Sequence, residues 1–381
     1  MSETIQVLRN LIQINTENPP GYTKEALLWI ENWANKKKIP SEIQWFSESK
    51  GNIILTLGRG NKTILMTGHL DTVPIGDRTA WNIDPFEAKE INGNIYGRGS
   101  ADMKGGIASC LSTMDNLNRQ LNLNDFNYKL VFLGTSDEEV GLEGAKAALK
   151  KKLMKNVAFV IVTEPTSLKT GITEKGVLWI TIMARGKAAH GSTPDKGINA
   201  IEKLIGVIPK LKNSVPAIID PILGVSTLNI GTISGGKSAN IVPEYAEINC
   251  DFRLVPPINP IEFIQDIQNV ILQENSQDTS YFTLKVNQIM PTISTPKENK
   301  FLELFLNHTD RKDIIGLNYA TDLAVLCNAK VANSIPFLIY GPGDPNSIHI
   351  ANEKVSILEV IEVENTLTKF LLDLNSKIRS I

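Results

Sequence analysis

The sequence predicts an α/β protein: a mixed, mostly parallel sheet flanked by helices, interrupted by an inserted ferredoxin-like α+β domain. Three observations predict it. Apolar runs of strand length alternate with helix-period segments through the first half, the order changes to β-α-β-β-α-β near Gly176, and strand–helix alternation resumes after Pro291. The expected division makes 1–174 and 291–381 two parts of one domain, with 175–290 inserted between them.

In the first part, apolar runs of strand length lie at 53–57 (IILTL), 63–67 (TILMT), 130–133 (LVFL) and 157–162 (VAFVIV). Apolar residues recur every three or four positions at 3–14, 24–36, 106–118 and 142–153, which is helical spacing. Such alternation implies a largely parallel sheet with helices on both faces. The inserted segment reads as a strand (177–184), a helix (198–211), two strands (225–233 and 245–254), a helix (260–273) and a strand (282–288). Its clearest strand alternates Ile248, Cys250, Phe252 and Leu254 with Glu247, Asn249, Asp251 and Arg253. A helix at 298–308, a strand at 335–340 and a helix at 355–377 complete the first domain.

Composition excludes several function classes. Over 381 residues, 39 Lys+Arg against 41 Asp+Glu give a net charge of −2, so no broad basic field exists for nucleic acid or anionic lipid. No apolar run approaches the roughly 18 residues of a membrane span, and MSETIQVLRN lacks the basic-then-apolar order of a signal peptide. Cys110, Cys250 and Cys327 are widely separated and form no CxxC pair, which suits a reducing compartment. The expectation is a cytoplasmic protein. Residues 231–238, GTISGGKS, satisfy the phosphate-loop pattern GxxxxGK[ST]. That loop must open a helix, yet here Pro243 and a two-residue alternation follow, so two strands joined by a glycine-rich loop are expected instead.

The chemistry gathers at strand ends. His69 follows the 63–67 run, with Asp71 two residues on and projecting to the same side in extended backbone. A carboxylate beside a histidine is the common arrangement for fixing a metal-ligating imidazole. Asp102 sits in the glycine-dense YGRGSADMKGG ahead of a helix, where it also reads as an N-cap. SDEEVG supplies Glu138 and Glu139, whose side chains point apart in extended backbone, though a solvated acidic turn would read the same way. Glu164 ends a third strand in VTEPTS, and His349 follows a fourth in GPGDPNSIHIANE. Together His69, Asp102, Glu139, Glu164 and His349 are too many ligands for one tetrahedral zinc and suit two divalent ions bridged by Asp102. Imidazole with carboxylate favours zinc, with cobalt or manganese as alternatives, over calcium.

These segments resemble the dinuclear metallohydrolases that include acetylornithine deacetylase, succinyl-diaminopimelate desuccinylase, aminoacylase and the glutamate carboxypeptidases. The resemblance runs through GHLDTVP, WNIDPFEAKEINGNIYGRGSADMKGG, DEEVG, EPTS, GKAAHGSTPDKGINAI, SANIVPEYAEINCDFR and the His349 segment, in family order. It implies a zinc-exopeptidase-like catalytic domain carrying an inserted lid and dimerisation domain. It also implies that His69 and Glu164 hold one metal, Glu139 and His349 the other, and that Asp102 bridges. Glu138 falls on the general base that serves attack by a metal-bridging hydroxide, and Asp71 on the carboxylate that orients His69. His190 matches a lid histidine that reaches an active site, often across a dimer, while Asn240 and Arg253 match positions that hold substrate polar groups.

The implied activity is amide hydrolysis of an N-acyl amino acid, with a dipeptidase or aminopeptidase as the alternative, in a homodimer. Where the glycine- and serine-rich GGTSD-type loop of diaminopimelate desuccinylases is expected, the chain has GLNYATDLAVL at 316–326, which keeps the acidic position at Asp322.

Overall fold

The computed structural model describes residues 2–121, 126–277, 281–327 and 335–377. The chain divides into two compact units, one of Met1–Ile172, Thr295–Ile315 and Thr321–Ile381, the other of Thr173–Ser294 with Gly316–Ala320.

The larger sheet runs in the order Ser41–Trp45, Gly51–Leu57, Tyr128–Thr135, Lys62–His69, Val157–Val162, Phe337–Ile339, Thr170–Glu174, Ile293–Ser294. Its four inner strands, Tyr128–Thr135 through Phe337–Ile339, are mutually parallel. The strands outside them pair antiparallel. Lys62–His69 and Val157–Val162 are buried almost throughout, because helices cover the sheet. Gly105–Gln120 packs against Lys62–His69 and Tyr128–Thr135, and Glu3–Gln13 and Ile357–Lys377 pack against it in turn.

The core between these elements is aromatic. Phe159 stacks on Phe301 at 4.9 Å, and Phe305 meets Phe370 edge-on at 5.4 Å. Full burial of such a side chain contributes about 1.5–3 kcal/mol.

The mixed α/β class and the main elements agree with the sequence reading. The short strands Ser41–Trp45, Lys89–Ile91, Asn94–Tyr96 and Lys354–Ser356 escaped it because they are brief and largely uncovered, and Thr170–Glu174 escaped it because TGITE, though buried, carries a single large apolar residue. The expected 355–377 helix starts at Ile357, after the last of these strands.

In the second unit the sheet order is Thr227–Gly235, Tyr245–Leu254, Gly176–Arg185, Tyr281–Met290, with every pair antiparallel. Helices Ala200–Ser214 and Pro260–Gln277 pack on this sheet and on each other. This is the β-α-β-β-α-β arrangement. Tyr245–Leu254 buries every second residue, with Ala246, Ile248, Cys250, Phe252 and Leu254 in the core. GTISGGKS lies in the strand Thr227–Gly235 and the loop after it, and the next regular element is the strand Tyr245–Leu254. Lys237 pairs with Glu244 at 2.9 Å. No helix follows the glycines, so the phosphate-loop reading fails on structure as well.

Candidate metal centre

The parallel strands deliver their carboxyl ends to one place, where ligand crevices of α/β sheets form. His69 is the last residue of Lys62–His69, Glu138 and Glu139 follow Tyr128–Thr135, Glu164 follows Val157–Val162, and the His349 segment follows Phe337–Ile339. Asp102 reaches the same place from the tight segment Ser100–Lys104, entered through Gly99 at φ +79° and leading into the helix Gly105–Gln120. That φ suits glycine, since a side chain there would be strained.

Asp102 stands between two sets of ligands. Its Oδ1 lies 3.1 Å from His69 Nε2, which is itself 3.7 Å from Glu164 Oε1. Its Oδ2 lies 3.0 Å from His349 Nε2, which is 3.4 Å from Glu139 Oε1. Among the described residues, His69, Asp102 and Glu164 form one group with donor atoms within 4.8 Å, and Asp102, Glu139 and His349 form another. His69, Asp102 and Glu164 are buried; His349 is half exposed and takes a left-handed φ of +60°.

The electrostatics show what this crowding costs. Burial pushes Glu138 and Glu164 well above the usual carboxylate range; neighbouring carboxylates add to the rise against the pull of His69. Burial works against ionised Asp102 too, but hydrogen bonds from His349 and His69 outweigh it and hold it below the usual range. His69 is held well above its ordinary value: burial opposes this, but the hydrogen bond to Asp102 and the charges of Glu164 and Glu138 prevail. Hydrogen bonds to Asp102 and Glu139 push His349 up to about 10. Without added cations Glu138 and Glu164 hold a proton more tightly than ordinary carboxylates. Glu139 Oε1 is buried and faces only the long 3.4 Å approach of His349 Nε2, an oxygen that a cation would satisfy better. The set of imidazole and carboxylate donors therefore fits divalent metal.

His69 Nδ1 faces the backbone carbonyl of Asp71 at 2.8 Å, which turns Nε2 toward the cluster. The Asp71 carboxylate, expected to orient His69, is 3.9 Å from Nδ1. It instead accepts the amides of Glu138 at 3.1 Å and Glu139 at 3.2 Å, and Asn18 Nδ2 at 2.9 Å. The carboxylate thus holds the turn that carries both glutamates, with the Asp71 peptide oxygen as the nearer partner of His69 Nδ1. Asn18 also donates to Asp137 Oδ1 at 2.9 Å, which Lys50 Nζ meets at 2.7 Å. The sequence reading missed this support; its only sign was Asn18 ahead of the Pro19–Pro20–Gly21 turn. Gly341 packs against Glu164, where a Cβ would come within 2.4 Å of the Glu164 carbonyl oxygen. Asp322 is buried, accepts Thr135 Oγ1 at 2.5 Å, and is raised to about 6, chiefly by burial.

The other three expected site residues lie in the second unit. His190 is exposed; its Nδ1 lies 2.8 Å from Ser192 Oγ, and its backbone bridges to Ile241. Asn240 is its neighbour, accepting the Gly191 amide at 2.7 Å. Arg253 sits at the other end of Tyr245–Leu254, gripping Asp251 at 2.8 and 3.1 Å and stacked over Trp179.

A strand-end cluster of imidazoles and carboxylates on an α/β sheet defines a candidate hydrolytic metal centre. The match to known proteins names the class: residues 65–373 match peptidase family M20/M25/M40, and the chain belongs to that family. Members of the M20 family are metal-dependent hydrolases. The chain is 28% identical over 386 residues to the "Probable succinyl-diaminopimelate desuccinylase" of Staphylococcus aureus, covering 93% of each. It is 29% identical over 362 residues to the acetylornithine deacetylase of Proteus mirabilis, covering 90% of this chain and 88% of that one. The fold matches a metallo-carboxypeptidase from Sulfolobus solfataricus with a TM-score of 0.81 at 17% identity, over 97% of this chain and 99% of that one. No helix among the described residues is long and apolar enough to cross a membrane.

A pH dependence follows. Glu138 and Glu164 are raised above 4.5, so the folded state keeps protons that the unfolded chain has released, and stability falls as pH rises. His69 and His349, raised above 6.5, contribute stability that is full below that value and lost as pH rises toward their folded values, so the sign is the same. The Tm of metal-free protein should therefore fall between about pH 5 and about pH 7, above which buried Lys104, lowered to about 7, contributes with the opposite sign, and saturating cobalt should raise the Tm more at the upper end of that range. A metal-free Tm that is flat or rising across this range, read by calorimetry, would contradict the electrostatics.

Proposed function

We propose that the protein hydrolyses the amide bond of N-acyl amino acids, a deacetylase- or desuccinylase-type reaction. The observation that carries this reading is Asp102, whose two oxygens face different imidazole–carboxylate pairs with Glu138 beside them. The relatives named as a desuccinylase and a deacetylase, similar over most of their length, support the substrate class. His69, Asp102 and Glu164 would hold one divalent ion, and Asp102, Glu139 and His349 the second, zinc by preference with cobalt or manganese as alternatives. Such ions, when bound, supply Lewis acidity to a carbonyl and make water acidic near neutral pH.

Glu138 is the proton carrier. Its carboxylate takes a proton from the attacking water and returns it to the departing nitrogen, a service worth about 10²–10⁴ in rate. Burial and neighbouring acids raise its proton affinity, which suits a group that must hold the proton between the two transfers. His190 steadies the developing oxyanion, and Asn240 and Arg253 hold the polar groups of the substrate.

We also assign a homodimer formed through the inserted unit. Tyr245 and Arg253 are eight steps apart on one strand, about 26 Å at ~3.3 Å per residue, and His190 and Asn240 lie beyond its Tyr245 end. One small substrate cannot touch both ends, which supports a reading in which a site takes His190 and Asn240 from one copy and Arg253 from another. The edge strand Thr227–Gly235 is largely exposed, with Ile233 uncovered, and edges of this kind invite pairing with another chain. Light scattering should give the mass of two chains; a fully active monomer would refute the shared site.

Amine release by cobalt-loaded protein, offered acetylornithine, succinyl-diaminopimelate, acetyl amino acids and dipeptides, tests the reaction. Glu138→Ala should keep its metal and lose about 10²-fold or more in turnover of the preferred N-acyl substrate. Turnover of dipeptides alone would move the protein to the peptidase branch. Loss of metal in the variant would exchange the roles of Glu138 and Glu139.

A further inference from the structure

We propose that Glu353 is a positioning residue for the metal centre, setting Asp102 in register with His349. Glu353 is almost fully buried and touches none of the candidate ligands with its side chain except through the backbone of Asp102. Its Oε1 accepts the amides of Ala101 at 2.9 Å and Asp102 at 3.1 Å, and its Oε2 accepts the amide of Gly99 at 3.1 Å. Arg98 Nη1 meets the same Oε2 at 2.6 Å. One carboxylate thus takes three backbone N–H groups of the segment that bears Asp102, together with a guanidinium.

The chain around Glu353 is fixed just as firmly. Its carbonyl accepts the Gly97 amide at 3.0 Å. Asn352 Oδ1 accepts the Asn82 amide at 2.8 Å and its Nδ2 donates to Ala80 O at 3.0 Å. Lys354–Ser356 pairs antiparallel with Asn94–Tyr96. Arg98 is held by Pro74 O at 3.2 Å and by the face of Trp81 at 5.3 Å. His349 lies four residues before Glu353, so the Glu353 carboxylate ties the His349 segment directly to the backbone of Asp102.

A buried acid paired with a buried arginine has a plainer use, as a structural ion pair. The geometry favours more than that, because three of the four donors belong to the Asp102 segment, and the Asp102 amide itself is one of them. Partners that hold metal ligands from outside the coordination sphere change metal affinity by about 10–100-fold when lost. Because Asp102 belongs to both ligand groups, losing Glu353 should weaken both sites together.

The proposal rests on the metal-centre part of the function assigned above, and the test reads metal rather than turnover. Wild type, Glu353→Gln, Glu353→Asp and Arg98→Lys would be stripped with chelator and titrated with cobalt by calorimetry and visible absorption. The metal-free Tm of each serves as the folding control. The Gln side chain presents an NH2 group where backbone donors need an acceptor. The Asp side chain keeps the charge near Arg98 but withdraws it from the amides.

Both Glu353 variants should bind cobalt about 10–100-fold more weakly at both sites, with an altered absorption spectrum. Arg98→Lys, which leaves the carboxylate on its three amides, should stay close to wild type. If Glu353→Gln does not fold, Glu353→Asp decides on the same criterion. Wild-type affinity and spectrum in a folded Glu353 variant would overturn the proposal. So would an equal loss in Arg98→Lys, which would assign the effect to the ion pair. Failure of wild type to bind cobalt would instead overturn the metal centre, and the Glu353 proposal with it.

Discussion

The concentration of negative charge around Asp102 is the constraint on which the rest of the site depends. Asp102, Glu138, Glu139, Glu164 and Asp322 converge, and among the described residues His69 and His349 face them with positive charge. Two like charges 4 Å apart repel by about 4 kcal/mol at an effective dielectric of about 20. In the metal-free cluster this repulsion shows as a raised proton affinity of Glu138 and Glu164. Divalent cations would relieve it without protons. Two ions also match the way the donors divide about Asp102.

Holding such a cluster together requires a rigid frame, and the frame is mostly backbone. Parallel strands bring His69, the Glu138–Glu139 turn, Glu164 and the His349 segment to one end of the sheet. Two buried carboxylates then fix the loops beyond the strands by accepting several peptide N–H groups each. Asp71 holds the Glu138–Glu139 turn, and Glu353 holds the Gly99–Asp102 segment. Peptide amides are well suited to this, since they place ligands without adding titratable groups to a site already overloaded with charge. Close backbone contact completes the frame where Gly341 meets Glu164.

The sequence made the fold and the ligand cluster legible for physical reasons. Buried strands read as apolar runs, and Tyr245–Leu254 read as a strand because one of its faces is covered. Histidines and acids at strand ends stood out because each broke such a run. The supporting residues did not. Asp71 was visible as an acid near His69, but whether its carboxylate faced an imidazole or two amides depends on the fold of a loop 67 residues further along. Glu353, Asn18 and Arg98 are ordinary polar residues until long-range packing brings each against its partners. Short, exposed strands such as Ser41–Trp45 carried no burial pattern to read.

The most direct measurement of the central claim is metal stoichiometry in Asp102→Asn and Glu164→Gln beside wild type, by calorimetric titration and elemental analysis of dialysed protein. Sharing of Asp102 predicts two ions per wild-type chain, selective weakening of one site in Glu164→Gln, and weakening of both in Asp102→Asn. Two tightly bound ions in Asp102→Asn, or a single ion in wild type, would contradict it.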